Sequence, residues 1–182
     1  IGEHGFDLYV PAGADAIVHA AVERAGAVPI DEATWDVLRV EAGRPRFAID
    51  MNAETIPLEA GLEDRAISFT KGCYVGQEVI VRVRDRGHGR VARRLVGLVP
   101  LVADAGPCPL VGRGAVLRAG DRDVGLVTSA VYSPRRGSTV LLGYVQRDFV
   151  EPGTGVTACD GDTAVPLLVS PMPFVTLGIT AA

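Results

Sequence analysis

Cysteine is scarce in this chain and poorly spaced for chemistry that needs several thiols. Cys73, Cys108 and Cys159 stand far apart, with no C-x-x-C pair among them. The three histidines, His4, His19 and His88, do not fall at metal-ligand spacing from them. A disulfide framework and a structural zinc site are therefore not expected, and a reducing compartment suits the chain best. Aromatic residues are only 5% of the sequence, with one tryptophan, Trp35. No apolar run approaches the roughly 18 residues of a membrane span, because glycine and proline break the longest candidate, Leu95 to Val102. A basic balance is missing too. The net charge is −4, which argues against a general nucleic-acid binder. The chain opens on Ile1-Gly2-Glu3-His4, without a leader pattern and without methionine, so residues upstream and a cytoplasmic location are the expectations.

What is present points to a packed protein rich in turns. Hydrophobic residues make up 48% of the 182 positions, enough for a sizeable core. The 22 glycines and 12 prolines indicate many turns, and hence β-structure. Phe6, Leu8 and Val10 alternate with Asp7 and Tyr9, the period-2 pattern of a half-buried strand. Ile17, Val18, Ala21, Val22 and Ala25 then recur at helical spacing, closed by Gly26. A second short helix is expected in "DEATWDVLRVEAG", with Trp35, Leu38 and Ala42 on its buried face and Gly43 as its stop. Arg44 to Phe69 reads as mostly irregular chain. For Gly76 to Arg86 the β-branched alternation favours a strand slightly, against helix signals at Glu78 and Gly87.

After Gly89 the texture changes. "RRLVGLVPL", "AVLRAG", "RDVGLVTSAV", "STVLLGYVQ" and "TAVPLLVS" are short apolar runs bounded by turn residues, as in a small antiparallel barrel or sandwich. "AGDRDVG" should make a hairpin turn. A boundary is expected at residues 87–90, with an α+β region at 1–88 and a β-barrel domain at 89–182.

The chemistry concentrates in "KGCYVGQEVIVRVRDRGHGR", residues 71–90. Cys73 is fenced by Gly72 and Tyr74 and followed by arginines, so it could sit in the positive potential that makes a thiol reactive. The alternative is a small buried hydrophobe. If the first holds, Cys73 should be modified faster than Cys108 or Cys159. Arg82, Arg84 and Arg86 are either a solvated face or a site for an anionic ligand. Trp35 is either core or a stacking platform for a flat ligand.

Taken together, these residues resemble a known family. "KGCYVGQE", with Lys71, Gly72, Cys73, Tyr74, Gly76, Gln77 and Glu78, is similar to the signature of YgfZ-type proteins, relatives of the folate-dependent glycine-cleavage T-protein. "WDVLRVEAGRPRFAIDMNAETIPLEAGL" resembles the superfamily's W-x-x-x-R-x-E-A-G passage, carrying Trp35, Arg39 and Glu41, and "GEHGFDLYV" its G-E-x-G-F-E strand. The resemblance implies an α+β fold, part of the T-protein-like folate-binding arrangement of ferredoxin-like halves, followed by a small C-terminal antiparallel β-barrel. It also implies that Gly76 to Arg86 is a helix, and we follow it there over the local pattern.

For the site, the resemblance implies that tetrahydrofolate or a derivative meets Asp7, Trp35, Arg39 and Glu41. Its anionic tail would lie by Arg82, Arg84 and Arg86. Cys73 would be the reactive thiol, and no resident metal is implied. The function implied is an accessory role in iron–sulfur cluster assembly or repair, affecting tRNA modification through iron–sulfur enzymes. Its partners would be iron–sulfur client or assembly proteins, without direct nucleic-acid or membrane binding. The alternative is a folate-dependent aminomethyl or one-carbon transferase of the T-protein type, in which Cys73 would be dispensable.

Overall fold

A computed structural model describes residues 5–87, 89–102 and 110–175. Six strands close into one antiparallel barrel: β1 (Arg93–Pro100), β2 (Val116–Ala119), β3 (Arg122–Ser133), β4 (Ser138–Gln146), β5 (Gly155–Asp160) and β6 (Thr163–Ser170). Around the barrel they run in the order β1-β4-β3-β2-β5-β6, which leaves no open edge. The β2–β3 hairpin turns at Gly120, whose φ of 59° suits glycine and matches the expected turn in "AGDRDVG".

Two hydrophobic layers explain why these runs are so continuously apolar. Leu98, Leu117, Leu141, Val145 and Leu167 point into the barrel, and each fully buried leucine contributes about 1.5–3 kcal/mol. The outward residues of the same sheet, Leu95, Val140, Leu142 and Tyr144, are buried as well, beneath Val40 and Phe174. Strand β4 is thus covered on both faces, and the alternation expected of a half-exposed strand is lost. The outer cover has two parts. One is helix α2 (Glu32–Glu41), whose N-cap Asp31 accepts a hydrogen bond from Thr34 N at 2.8 Å. The other is the segment after β6, pinned where Phe174 N donates to the Glu41 carbonyl at 2.8 Å.

Tyr144 carries a consequence of this cover. Its hydroxyl is buried and meets no partner among the described residues. Burial pushes its pKa from the ordinary 10 up to about 12, opposed by the Arg93 guanidinium over the ring. The unfolded chain therefore ionises first as pH rises, so folding stability is retained below about pH 10 and falls between about pH 10 and 12. Tyr144→Phe should flatten that alkaline limb without lowering stability at neutral pH, because the lost hydroxyl was unpaired. Denaturant midpoints of the two proteins from pH 8 to 12 would check it, and parallel alkaline limbs would contradict it.

Outside the barrel, helix α1 (Asp15–Arg24) forms as its periodicity predicts, but it buries no residue. Residues 6–10 do not form the strand expected of them. A strand needs a neighbour for its backbone groups, the barrel offers no free edge, and Phe6 and Tyr9 stay 97% and 96% exposed. The face of α2 also differs from expectation. Trp35, Leu38 and Ala42 are half-buried, whereas Arg39, Val40 and Glu41 are the fully buried residues. A short helix α3 (Glu63–Ala66) interrupts the otherwise irregular chain that follows. Residues 77–86 are helical, as the resemblance implied and the local pattern did not: α4 (Gln77–Val81) runs on into a π-helical turn through Arg86. Ile80 packs there with Leu58 and Val91, so tertiary burial overrides β-branched propensity.

Candidate functional site

Asp7 lies exposed in the segment beside α1. Phe6, Leu8 and Val10 face Val18, His19 and Val22 across a cleft of about 310 Å³ that also includes Asp7 and Asp15. Apolar walls with two carboxylates suit a flat heterocycle bearing a row of N–H donors. Asp7 makes no hydrogen bond within the described residues, so its acceptors are free for such a ligand.

Trp35 does not line that cleft. Its ring is half-buried and carries the Arg46 guanidinium 5.0 Å from its centroid, while Arg46 Nη1 also pairs with Glu32 at 2.7 Å. Arg39 and Glu41 are buried. Arg39 is 1% exposed and donates to Asp50 Oδ2 at 2.7 Å, to Ser129 Oγ at 2.8 Å and to the Arg44 carbonyl at 3.2 Å. Asp50 accepts three further hydrogen bonds, from Thr128 Oγ1 at 2.6 Å, Ser129 Oγ at 2.7 Å and Arg46 N at 2.9 Å. Two neighbouring hydroxyls reach one carboxylate because β3 bulges there. Val127 pairs with Gly143 and Ser129 with Leu142, leaving Thr128 as the extra residue. Glu41 accepts from Ser133 Oγ at 2.5 Å. Both charged residues of the W-x-x-x-R-x-E passage thus fasten α2 to the barrel.

Cys73 is exposed in the turn before α4, and Cys159 is half-buried on β5; Cys108 lies outside the described residues. Gly76, at φ 82°, lets the chain enter α4, and Gln77 Oε1 reaches back to accept from Tyr74 N at 3.2 Å. The signature residues therefore shape the turn that presents the thiol. Its cations are partly occupied elsewhere. Lys71 sits 4.8 Å over the Tyr74 ring, and Arg84 lies over Phe69 while pairing with Asp85 at 2.6 Å. Arg82 is exposed, and the side chain of Arg86 lies outside what is described. The Asp50–Thr128–Ser129 cluster was not visible in the sequence, since nothing in "VTSA" marks a bulge that turns two consecutive hydroxyls the same way.

A closed six-stranded barrel thus carries a helical segment on its outer face, fastened where Arg39 and Asp50 meet Ser129 and Thr128 of β3. Residues 93–176 match the glycine cleavage T-protein C-terminal barrel domain. That match covers a little under half of the chain, and likenesses over 95% of it support the wider T-protein superfamily. The chain is 34% identical to an aminomethyltransferase of Thermosynechococcus vestitus over 178 residues, covering 95% of this chain and 45% of that protein. It is 35% identical to one of Saccharopolyspora erythraea, covering 95% and 46%. The structure of glycine cleavage system aminomethyltransferase T from Bartonella henselae superposes with a TM-score of 0.74 at 25% identity, over 89% of this chain and 44% of that one. The chain therefore spans a little under half the length of these relatives. They carry the aminomethyltransferase name, and nothing in them singles out the YgfZ-type branch. Among the described residues, no helix is long and apolar enough to cross a membrane, and His, Cys, Asp and Glu form no cluster of three or more placed to hold a metal.

Proposed function

We propose that this chain is the barrel-bearing part of a tetrahydrofolate-binding protein that moves a one-carbon unit, of the aminomethyltransferase type, acting in the cytoplasm. The observation that carries this reading is the likeness to aminomethyltransferases along 95% of the chain, well beyond the barrel. Tetrahydrofolate would supply the nucleophilic nitrogens that take up the one-carbon unit. Asp7 would accept hydrogen bonds from the pterin edge, and Leu8, Val10, Val18 and Val22 would exclude water from its faces. Arg39 and Glu41 would act as positioning residues, because their burial against Asp50 and Ser133 sets where α2, and with it Trp35, stands. Arg82, with Arg84 and Arg86, would attract the anionic tail.

A second reading has one observation in its favour, the exposure of Cys73 within "KGCYVGQE". In that reading the thiol serves iron–sulfur cluster assembly or repair, with client or assembly proteins as partners and tRNA modification as a downstream effect. Transfer of a one-carbon unit to tetrahydrofolate by the intact protein separates the two. Under the first reading Cys73→Ala turns over within about twofold of wild type, since the exposed thiol touches no group used in transfer. No transfer by wild type, together with loss of iron–sulfur enzyme activity in cells carrying Cys73→Ala, would establish the second.

A further inference from the structure

Three arginines line one cleft where the chain enters the barrel. Arg90, Arg94 and Arg147 line a cleft of about 400 Å³ together with Gly89, Val91 and Val150, and among the described residues no carboxylate lines it. In a chain of net charge −4 this is a marked local excess of positive charge. The backbone fixes all three positions. Arg94 is held opposite Val145 in the β1–β4 ladder, and Arg147 N donates to the Ala92 carbonyl at 3.1 Å. Gly89 N donates to Val83 O at 3.0 Å and Arg90 N to Gly87 O at 2.9 Å, which ties the third arginine to the end of the helical segment. Val91, buried, and Val150, half-buried, form the floor.

The local counter-charges are incomplete. Arg94 pairs with Glu63 at 2.5 Å, but among the described residues the only carboxylate Arg147 meets is its neighbour Asp148 at 3.4 Å, with both side chains more than half exposed. Arg90 has no carboxylate partner among the described residues. An exposed pair of that kind contributes little, so a ligand can displace it at small cost. Arg90 and the weakly paired Arg147 leave an excess of positive charge beside Arg94, and a multiply charged anion would neutralise it. Guanidinium forks match oxyanions in bidentate geometry. We propose that this cleft binds a multiply charged oxyanion, supplied either by phosphate groups or by a run of carboxylates. Its volume lies within the range of small-ligand sites, larger than one phosphate needs. The proposal does not depend on the folate reading, since the Asp7 cleft shares no residue with it.

Calorimetric titration of the full chain at low salt, with inorganic pyrophosphate and separately with γ-linked triglutamate, tests it. Saturable binding of at least one is expected, weakening as salt rises because the charges are exposed and screening acts over about 8 Å at physiological ionic strength. Tighter pyrophosphate binding assigns the site to phosphate, and tighter triglutamate binding to carboxylates. Arg90→Glu combined with Arg147→Glu should weaken binding at least tenfold while leaving the melting temperature unchanged. Should that variant fail to fold, Arg90→Gln with Arg147→Gln carries the same expectation of weakened binding. No saturable binding of either anion, or undiminished binding by the folded double variant, overturns the proposal.

Discussion

Asp50→Ala should cost the fold about 3–5 kcal/mol, the loss typical of a buried ion pair deprived of one partner. The side chain of Asp50 is fully buried and that of Arg39 is 1% exposed. Removing the carboxylate leaves the guanidinium with Asp36, Ser129 and a carbonyl for company, and strips an acceptor from two buried hydroxyls and one backbone N–H. The damage should be local to the joint between α2 and the barrel. Urea unfolding of wild type and variant would read the loss directly, and hydrogen exchange should rise first in α2. A loss below about 1 kcal/mol would mean that the network is satisfied by water in solution and does not hold the joint.

Gly125→Ala should be the most damaging single methyl added to the barrel. A Cβ built there would stand 2.0 Å from the Tyr144 carbonyl oxygen and 3.0 Å from Val145 Cα. Both are backbone of the paired strand β4, so no side chain can swing aside, and β3 must part from β4. Overpacking of an ordinary core site costs about 1–3 kcal/mol, and this variant should reach the top of that range or exceed it. Gly161→Ala, in the open turn between β5 and β6, meets nothing within 4 Å but has a φ of 56°, so it should cost less, by conformation alone. Thermal melts of the two variants should therefore fall in that order, and a Gly125→Ala protein melting with wild type would contradict the close approach of the strands.

Much of the barrel was legible in the sequence because each strand is a short apolar run stopped by turn residues, and turn chemistry is local. Gly26, Gly43 and Gly120 fall where their sequence positions placed them for the same reason. The placement of α2 was not legible. Its amphipathic pattern pointed to Trp35 and Leu38, but the buried residues are Arg39, Val40 and Glu41, and the two charged ones depend on Ser129 and Ser133 far along the chain. The strand expected at residues 6–10 has the right alternation, and alternation cannot reveal whether a neighbouring edge exists. Local reading also failed at residues 77–86, where the contacts of Ile80 decide for helix. At the candidate site, Asp7 and Cys73 could be named from motifs, whereas the triple-arginine cleft needed the β1–β4 register to bring Arg94 and Arg147 together.

The claim that this protein handles folate stands or falls on binding. Tetrahydrofolate titrated into the intact protein, followed by calorimetry, should give saturable heat. Asp7→Ala should weaken that binding while its unfolding curve overlays wild type, since Asp7 is exposed and bonds nothing in the described fold. Absence of saturable heat at millimolar tetrahydrofolate from a protein shown to be folded, or an Asp7→Ala variant that binds as wild type does, would contradict the account.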